Sequence, residues 1–275
     1  MSGTLYVVGT PIGNLSDFSP RAVKTLSECD FIAAEDTRVT LKLLNHFNIK
    51  KPLISYYEHN RRERGELILA RIVNGESCAL VTDAGMPAIS DPGQDLVDIC
   101  LNSGVKVESV PGPTAFATAV ALSGLPSGRF TFEGFLSVNK PGRKEHLLSI
   151  ANEKRTMLFY EAPHKLSSTL KDLAEYLGDR RIALVKEISK IHETIERTTL
   201  FAAAQKYSNE TPKGEFVIVI EGAPEEKKEK ATLEEALKTA LSFVNEGSSK
   251  NDAAKQAARL SGIKKSDIYK KLIEK

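Results

Sequence analysis

Short apolar runs alternate with longer segments of helical periodicity along the first 115 residues of the chain. Five runs predict buried strands, at residues 5–9, 31–35, 53–57, 78–82 and 105–110. Between them, apolar residues recur three or four positions apart, the spacing of one face of an amphipathic helix. Strands and helices in alternation indicate right-handed βαβ units, and therefore a parallel sheet that helices cover on its faces.

The pattern changes after residue 110. Pro111-Gly-Pro-Thr-Ala115 interrupts it and begins a helix of small residues, which predicts a domain boundary near residue 120. Longer strands at residues 130–136, 156–160, 182–187, 193–200 and 215–221, with a leucine-spaced helix over residues 166–177, predict a second domain of mixed α and β structure. The expected fold class is thus α/β, with a parallel-sheet domain over residues 1–120 and a mixed-sheet domain over residues 121–223.

A third, smaller module is predicted at the C-terminus. The charged segment 223–230 is typical of a linker, and residues 232–275 predict two or three helices. Alanines line one face of residues 251–260, a tight turn follows, and Ser266 is placed to cap a last helix. This arrangement is similar to a helix-turn-helix, although tight packing of two short helices requires the same alanines.

Charge is distributed unevenly. Residues 248–275 hold eight Lys or Arg against three Asp or Glu, whereas the whole chain has a net charge of only +2. A basic end favours a polyanionic partner, and a solvated helical tail is the alternative. The three cysteines lie far apart, and no cluster has metal-ligand spacing, so neither a disulfide framework nor a metal site is expected.

No apolar run approaches the roughly 20 residues that a membrane-spanning helix needs. The N-terminus has no basic leader ahead of an apolar segment. A cytoplasmic protein without a membrane partner is therefore expected.

Two loops rich in glycine and proline follow predicted strands, at residues 9–15 and 83–93. Neither matches the GxxxxGK[ST] or GxGxxG phosphate-binding patterns. Loops at the carboxyl ends of parallel strands bring bare backbone close to a small molecule, so the two loops predict one cleft. The second loop offers a carboxylate, amides and an apolar rim, which suits S-adenosylmethionine. An ordinary tight connection is the alternative for either loop alone.

Six segments in fixed order identify a family resemblance: Gly9-Thr-Pro-Ile-Gly-Asn-Leu15, Ala34-Glu-Asp-Thr-Arg38, Asp83-Ala-Gly-Met-Pro-Ala-Ile-Ser-Asp-Pro-Gly93, Pro111-Gly-Pro-Thr-Ala115, Phe159-Tyr-Glu-Ala-Pro-His164 and Lys213-Gly-Glu-Phe-Val-Ile-Val219. Together they resemble the bacterial enzymes that methylate the ribose 2′-hydroxyl of a cytidine in small-subunit (16S) rRNA, within the tetrapyrrole methylase superfamily. Gly134-Phe-Leu-Ser137 and residues 187–193 only approximate the family's segments.

The resemblance implies a cleft between two αβα-type domains, S-adenosylmethionine as cofactor, a homodimer, and small-subunit rRNA or the 30S particle as partner. Carried over by motif, it places cofactor contacts at nine residues: Pro11, Asp83, Gly85, Met86, Ala88, Thr114, Ala115, Tyr160 and Glu161.

The candidate catalytic residues are Glu35, Asp36 and Arg38, at a predicted strand end. Arg38 could hold a phosphate, and one of the carboxylates could accept the proton of a ribose hydroxyl. The alternative is that the carboxylates cap a helix. Lys186-Glu187 is a second candidate pair, for which a surface ion pair is the alternative.

Candidate RNA contacts are Arg61, Arg62 and Arg64 in one basic segment, and Lys264 and Lys265 in the C-terminal module. A solvated helix face is the alternative for the arginines. Two other functions remain open at this point: a small-molecule corrin or porphyrin methylase, and an RNA-binding assembly factor without catalysis.

Overall fold

The computed structural model describes residues 2–210, 212–224 and 232–274. Residues 1–223 form one compact unit and residues 224–275 a second. Most of the predicted charged linker lies outside the described residues. Within the described part of the chain, no helix combines the length and the apolar character that crossing a membrane would require.

The first sheet is parallel, as predicted. Its five strands are arranged in the order β3-β2-β4-β1-β5, and every neighbouring pair is parallel. The strands are β1 (Thr4–Val8), β2 (Phe31–Ala34), β3 (Leu53–Ser55), β4 (Cys78–Val81) and β5 (Lys106–Val110). All residues of β2 and β4 are buried, which is the continuous apolar pattern of strands covered on both faces.

Four helices supply that cover: α1 (Pro20–Glu28), α2 (Thr37–His46), α3 (Arg61–Val73) and α4 (Gly93–Asn102). Leu26 of α1 and Leu44 of α2 pack in one core cluster with Ile32. Ile68 of α3 and Leu96 of α4 belong to the cluster on the other face. The strand termini that carry the glycine-rich loops therefore stand on a rigid three-layer support.

The second sheet is mixed, also as predicted. Its order is β6-β7-β10-β8-β9, in which β10 is antiparallel to both of its neighbours. The strands are β6 (Phe130–Gly134), β7 (Thr156–Glu161), β8 (Arg181–Lys186), β9 (Thr194–Thr199) and β10 (Phe216–Ile220). Because β6 is parallel to β7, the strands β6, β7 and β8 all end at the same edge of the sheet. That edge forms one wall of the site described below.

Helices cover the second sheet unequally. The helices are α5 (Ala115–Ser123), α6 (Lys140–Ile150), α7 (Pro163–Leu177) and α8 (Leu200–Tyr207). The last three pack on one face, and α5 packs alone on the other through Ala119 and Val120. The predicted boundary near residue 120 falls inside α5. The small apolar residues of this helix do not reveal which sheet they cover, so the sequence could not assign the helix to one domain.

Two helices of this region differ from the sequence-based expectation. The periodicity did not predict α6, which begins with Lys-Pro-Gly and buries only Leu147 and Ile150. The strand predicted over residues 193–200 ends at Thr199, which becomes the N-cap of α8. In both segments the local pattern was too short to distinguish helix from loop or strand.

The second unit contains α9 (Leu233–Asn245), α10 (Lys250–Ser261) and α11 (Lys265–Ile273). Alanines of α9 and α10 form its core together with Ile268 and Leu272 of α11. The prediction that Ser266 caps the last helix is wrong. Lys264 is the N-cap residue and Ser266 lies inside α11, where its hydroxyl donates to Asp267. Gly262, in the left-handed conformation, ends α10, so the turn is short and α11 begins before Ser266.

Candidate functional site

Three loops meet at the carboxyl edge of the first sheet, after β1, β4 and β5. Gly9 and Gly112 bring two of them into backbone contact, since a Cβ on Gly9 would lie 2.6 Å from the Gly112 Cα. The third loop joins through Thr10, whose backbone N–H donates to the Gly85 carbonyl at 2.9 Å. The Thr10 hydroxyl donates to the Thr82 carbonyl at 3.1 Å. The glycines thus allow close approach, and Thr10 fixes the distance between the loops.

The loop after β4 contains two residues with strained backbone. Ala88 and Ser90 have φ angles of 66° and 61°, in the left-handed region that favours glycine. Such residues persist where surrounding contacts hold them, and they cluster at functional sites. Here the Asp91 carboxylate accepts hydrogen bonds from the N–H of Ala88 at 2.9 Å and of Gly93 at 2.7 Å. Asp91 is therefore the residue that holds this loop in its strained conformation.

Two substitutions of Asp91 distinguish the effect of its hydrogen bonds on stability from the effect of its charge. Alanine leaves two backbone N–H groups without their acceptor, so we expect the free energy of unfolding to fall by about 1–3 kcal/mol. Asparagine keeps an acceptor oxygen. Burial raises the pKa of Asp91, so its ionisation destabilises the fold progressively as the pH rises from the ordinary pKa of an aspartate to the raised one, and the full cost is present above that. Asp91→Asn should consequently be at least as stable as the wild type at neutral pH.

Denaturant unfolding at pH 7 and calorimetry with S-adenosylmethionine would measure both effects. Asp91→Ala should lose cofactor affinity together with stability, and Asp91→Asn should retain stability and lose only the part of the affinity that the Asp91 charge supplies. An alanine variant that unfolds and binds like the wild type would contradict the role given to this carboxylate.

The edge of the second sheet forms the opposite wall of a cleft of about 440 Å³, a volume in the range of small-molecule sites. Phe116, Phe135 and Tyr160 line this wall, and Phe132 packs between Phe116 and Tyr160 to complete a row of aromatic residues. Phe116 stacks on Phe132, with ring centroids 4.9 Å apart. Tyr160 packs edge-on against Phe132, also at 4.9 Å, and against Phe135 at 5.6 Å. The Tyr160 hydroxyl accepts a hydrogen bond from the Phe116 N–H at 3.2 Å, which ties the start of α5 to the wall.

Glu161 lines the cleft but is only 4% exposed. Its carboxylate accepts from the Ala162 N–H at 2.8 Å and from the Thr169 hydroxyl. Arg143 donates to the same hydroxyl at 2.9 Å and is paired with Asp172 at 2.6 Å. This network commits both carboxylate oxygens of Glu161 to its own chain. The geometry of Glu161 therefore suits a residue that holds the wall of the cleft in position.

Carboxylates surround the first-sheet side of the cleft. Glu35 accepts a hydrogen bond from the Thr82 hydroxyl and lines the cleft. Partial removal from water and the nearby Glu35 carboxylate raise the pKa of Asp83. Burial raises the pKa of Asp91, to which the Glu35 charge also contributes. The Glu35 charge contributes to both raised pKa values, so the carboxylates on this side create a negative potential, which a cationic ligand would relieve.

Asp36 and Arg38 are engaged with each other. Asp36 caps α2 by accepting from the Arg38 N–H at 2.8 Å, and its carboxylate is paired with the Arg38 guanidinium at 2.6 Å. This pairing lowers the pKa of Asp36 to about 2. Neither residue lines the cleft, and the Arg38 side chain is 87% exposed. Their geometry matches the capping alternative, and a catalytic role for them stays a prediction.

The structure brings together more than half of the twelve residues predicted for catalysis and cofactor binding. Seven line the cleft: Glu35, Gly85, Met86, Thr114, Ala115, Tyr160 and Glu161. Pro11, Asp83 and Ala88 are adjacent in sequence to lining residues but do not line it themselves. Asp83 instead accepts a hydrogen bond from the Asp36 N–H at 3.0 Å. The predicted contacts of these three with a cofactor stay predictions.

The three arginines predicted to contact RNA lie outside the cleft. Arg61 is paired with Asp95 at 2.9 Å and with Glu58 at 3.3 Å. Arg62 lines a shallow hollow beside His59, and Arg64 lies on the same helix, α3. Lys264 and Lys265 stand at the start of α11. The candidate pair Lys186-Glu187 does not form, since Glu187 is paired with Lys190 at 2.9 Å.

Sequence reasoning missed Thr82, Phe116 and Phe135 as lining residues. Thr82 directly precedes the predicted Asp83, so the strand end could have indicated it. Phe135 lies inside the strand predicted over residues 130–136, which in the structure ends at Gly134, and a single phenylalanine in such a run carries no signal of exposure. The described residues contain no group of three or more His, Cys, Asp or Glu that could hold a metal ion.

The donor set fits S-adenosylmethionine. Its sulfonium and ammonium groups are cations, which the carboxylates around Glu35 would favour. The apolar residues Ile12, Met86 and Phe116 line the same space and suit an adenine ring. The close backbone contact of Gly9 and Gly112 leaves no room for a side chain at either position, and so holds together the loops that carry the lining residues Ile12 and Thr114.

Comparison with known proteins agrees with this geometry. A sequence model of the tetrapyrrole (corrin/porphyrin) methylases matches residues 4–204. Ribosomal RNA small subunit methyltransferase I of Synechocystis sp. is 45% identical over 273 residues, which cover 99% of this chain and 98% of the relative. The protein of that name from Thermotoga maritima is 46% identical over 220 residues, which cover 80% of this chain and 99% of the relative.

Solved structures share the fold at lower identity. Uroporphyrin-III C-methyltransferase from Thermus thermophilus, complexed with S-adenyl homocysteine, has a TM-score of 0.56 at 21% identity, covering 79% of this chain and 97% of that one. Cobalt precorrin-4 methyltransferase has a TM-score of 0.60 at 21% identity, covering 79% and 94%. The chain belongs to the tetrapyrrole (corrin/porphyrin) methylase family, among members named ribosomal RNA small subunit methyltransferase I.

Proposed function

We propose that this chain uses S-adenosylmethionine to methylate the ribose 2′-hydroxyl of a cytidine in small-subunit rRNA. The observation that carries the proposal is the cleft between the glycine loops and the aromatic wall. It lies in a chain that is 41–46% identical to relatives named ribosomal RNA small subunit methyltransferase I. Its carboxylates suit a cationic cofactor, and its aromatic wall suits a nucleoside.

The bound cofactor would supply an electrophilic methyl group, so the protein has to orient the acceptor oxygen and remove its proton. Of the three predicted catalytic residues, Glu35 is the one that lines the cleft. The Thr82 hydroxyl donates to its Oε2 and so holds the side chain in place. We assign proton acceptance to the Glu35 carboxylate. Residues 83–93 and Thr114 of the adjacent loops would hold the cofactor.

Transfer of a tritiated methyl group tests the proposal. The wild-type chain is incubated with 30S particles that lack the modification, with protein-free small-subunit rRNA, and with a porphyrinogen mixture. We expect label in rRNA, at a 2′-O-methylcytidine after nuclease digestion. Label confined to the porphyrinogens would support the small-molecule alternative, and label in none of the three would support a non-catalytic RNA-binding factor.

The C-terminal unit is proposed to strengthen RNA binding without forming the transfer site. The Thermotoga relative aligns over nearly its whole length with only 80% of this chain, so it is shorter by about the size of that unit. Replacing Lys264 and Lys265 by glutamine should weaken RNA binding and reduce the slope of log affinity against log salt by about one per lost phosphate contact. Filter binding at several salt concentrations measures this.

The control for these variants is Lys24→Gln, a paired lysine on α1. Its salt slope should equal that of the wild type. An unchanged slope in the Lys264 and Lys265 variants as well would remove these lysines from the RNA-binding surface. A homodimer and a cytoplasmic location are also proposed, and light scattering of the purified chain would measure the dimer.

A further inference from the structure

The aromatic row along the cleft ends in a ring that is unusually exposed. Phe135 is 57% exposed, whereas its neighbour Leu136 is 5% exposed and belongs to the core of the second sheet. Gly134, with a φ angle of 65°, turns the chain at the end of β6. The turn gives adjacent residues opposite environments: Leu136 anchors the segment in the core, and Phe135 lines the cleft.

The Phe135 ring is supported from the inner end of the aromatic row. Tyr160 packs against it with ring centroids 5.6 Å apart and planes at 63°, and Tyr160 is held in turn by Phe132 and by the Phe116 N–H. A ring fixed in this way loses little conformational freedom when a ligand covers it. Its exposed surface is a prepared apolar face at the mouth of a cleft.

Cations are available along the same edge of the sheet. Lys140 begins α6, Lys165 lies in the first turn of α7 and Lys186 ends β8. None of these lysines is paired with a carboxylate of the described residues, whereas Glu187 and Glu215 share Lys190. The same sheet edge therefore carries unpaired positive charge and an exposed aromatic ring, the combination that binds single-stranded nucleic acid.

We propose that Phe135 is the stacking platform for the base of the nucleotide whose ribose enters the cleft. The inference rests on the proposed function. A ribose hydroxyl that reaches the reacting methyl group leaves its own base at the mouth of the cleft. Proteins commonly hold such unstacked bases against aromatic rings. The glycine loops of the first sheet would hold the cofactor, and Phe135 contacts the acceptor from the opposite wall.

A tryptophan reporter tests the contact directly. The chain contains no tryptophan, so Phe135→Trp introduces a single indole, and Phe201→Trp provides a matched control on α8. Phe201 is 54% exposed and belongs to a helix outside the cleft. Titration with a short single-stranded cytidine-containing RNA, with S-adenosylhomocysteine present, should quench the indole at position 135 and leave the one at position 201 unchanged. Equal quenching of both, or of neither, overturns the proposal.

Kinetics provide the second readout. With 30S particles as acceptor, Phe135→Ala should lower kcat/KM by roughly 5- to 150-fold, the range for loss of one stacked base. The KM for the particle should rise and the Kd for S-adenosylmethionine should stay unchanged. Phe135→Tyr should restore activity, and Phe201→Ala should match the wild type. A loss of cofactor affinity with an unchanged KM for the particle would assign the ring to the cofactor instead.

The two proposals fail separately. If the wild-type chain transfers no methyl group to rRNA, the proposed function is wrong, whatever the fluorescence shows. If the wild type is active while Phe135→Ala is equally active and the indole is not quenched, only the role of Phe135 is wrong.

Discussion

Replacing Gly112 by alanine should reduce the affinity for S-adenosylmethionine by about 100-fold or more, a loss expected from ångström-scale misplacement in a site. A Cβ on Gly112 would lie 2.8 Å from the Gly9 Cα and carbonyl carbon. Both obstacles are backbone atoms, so no side chain can rotate away. The loops after β1 and β5 would have to separate, at a cost of about 1–3 kcal/mol in stability.

Calorimetric titration with the cofactor and thermal unfolding measure the two effects. Gly128→Ala is the matched control, since a Cβ there would meet nothing within 4 Å and its φ is not in the left-handed region. That variant should bind like the wild type and unfold at the same temperature or slightly higher. If Gly112→Ala binds the cofactor normally, the contact between these two loops does not determine the shape of the cofactor site.

Replacing Glu35 by glutamine should slow the chemical step about 10²- to 10⁴-fold, the usual contribution of a positioned base. Glutamine keeps an oxygen that can accept the Thr82 hydroxyl, so the side chain should stay in place while the charge is lost. Cofactor affinity should fall less than the rate, because the carboxylates of Asp83 and Asp91 remain nearby.

Single-turnover methylation of 30S particles, with cofactor and enzyme in excess, isolates this step. Asp36→Asn is the control, because asparagine caps a helix as well as aspartate does and Asp36 does not line the cleft. Its rate should be close to that of the wild type. A normal rate for Glu35→Gln would exclude this carboxylate as the base, and slowing of both variants to the same extent would indicate that α2 as a whole positions the acceptor.

The first sheet could be predicted from sequence because each strand has its own apolar run. The fully buried strands β2 and β4 left continuous hydrophobic segments, and the helices between them left stripes such as Ile68 and Ile72. Local pattern sufficed for the strands and for the loops that follow them, because strand and loop are contiguous in the chain. The individual cleft residues Gly85, Met86 and Thr114 came from the family resemblance carried by the motifs in those loops.

Other parts of the site could not be predicted, because they depend on contacts between distant segments. The Glu161 network needs Arg143 and Asp172 from two different helices. The exposure of Phe135 depends on the turn at Gly134 and on the aromatic residues of β6, β7 and α5. The pairing of Asp36 with Arg38 is local, but the sequence alone allowed a cap and a catalytic pair equally.

The central place of β10 has a consequence for synthesis of the protein. The first sheet has all of its strands once Val110 has been made, so it can form early. The second sheet must wait for Phe216–Ile220, which insert between β7 and β8. Until then β7 and β8 lack the strand that joins them, and the nascent chain exposes their apolar faces. A premature stop shortly before Phe216 would therefore remove the middle of that sheet, and a chaperone would be expected to recognise the product.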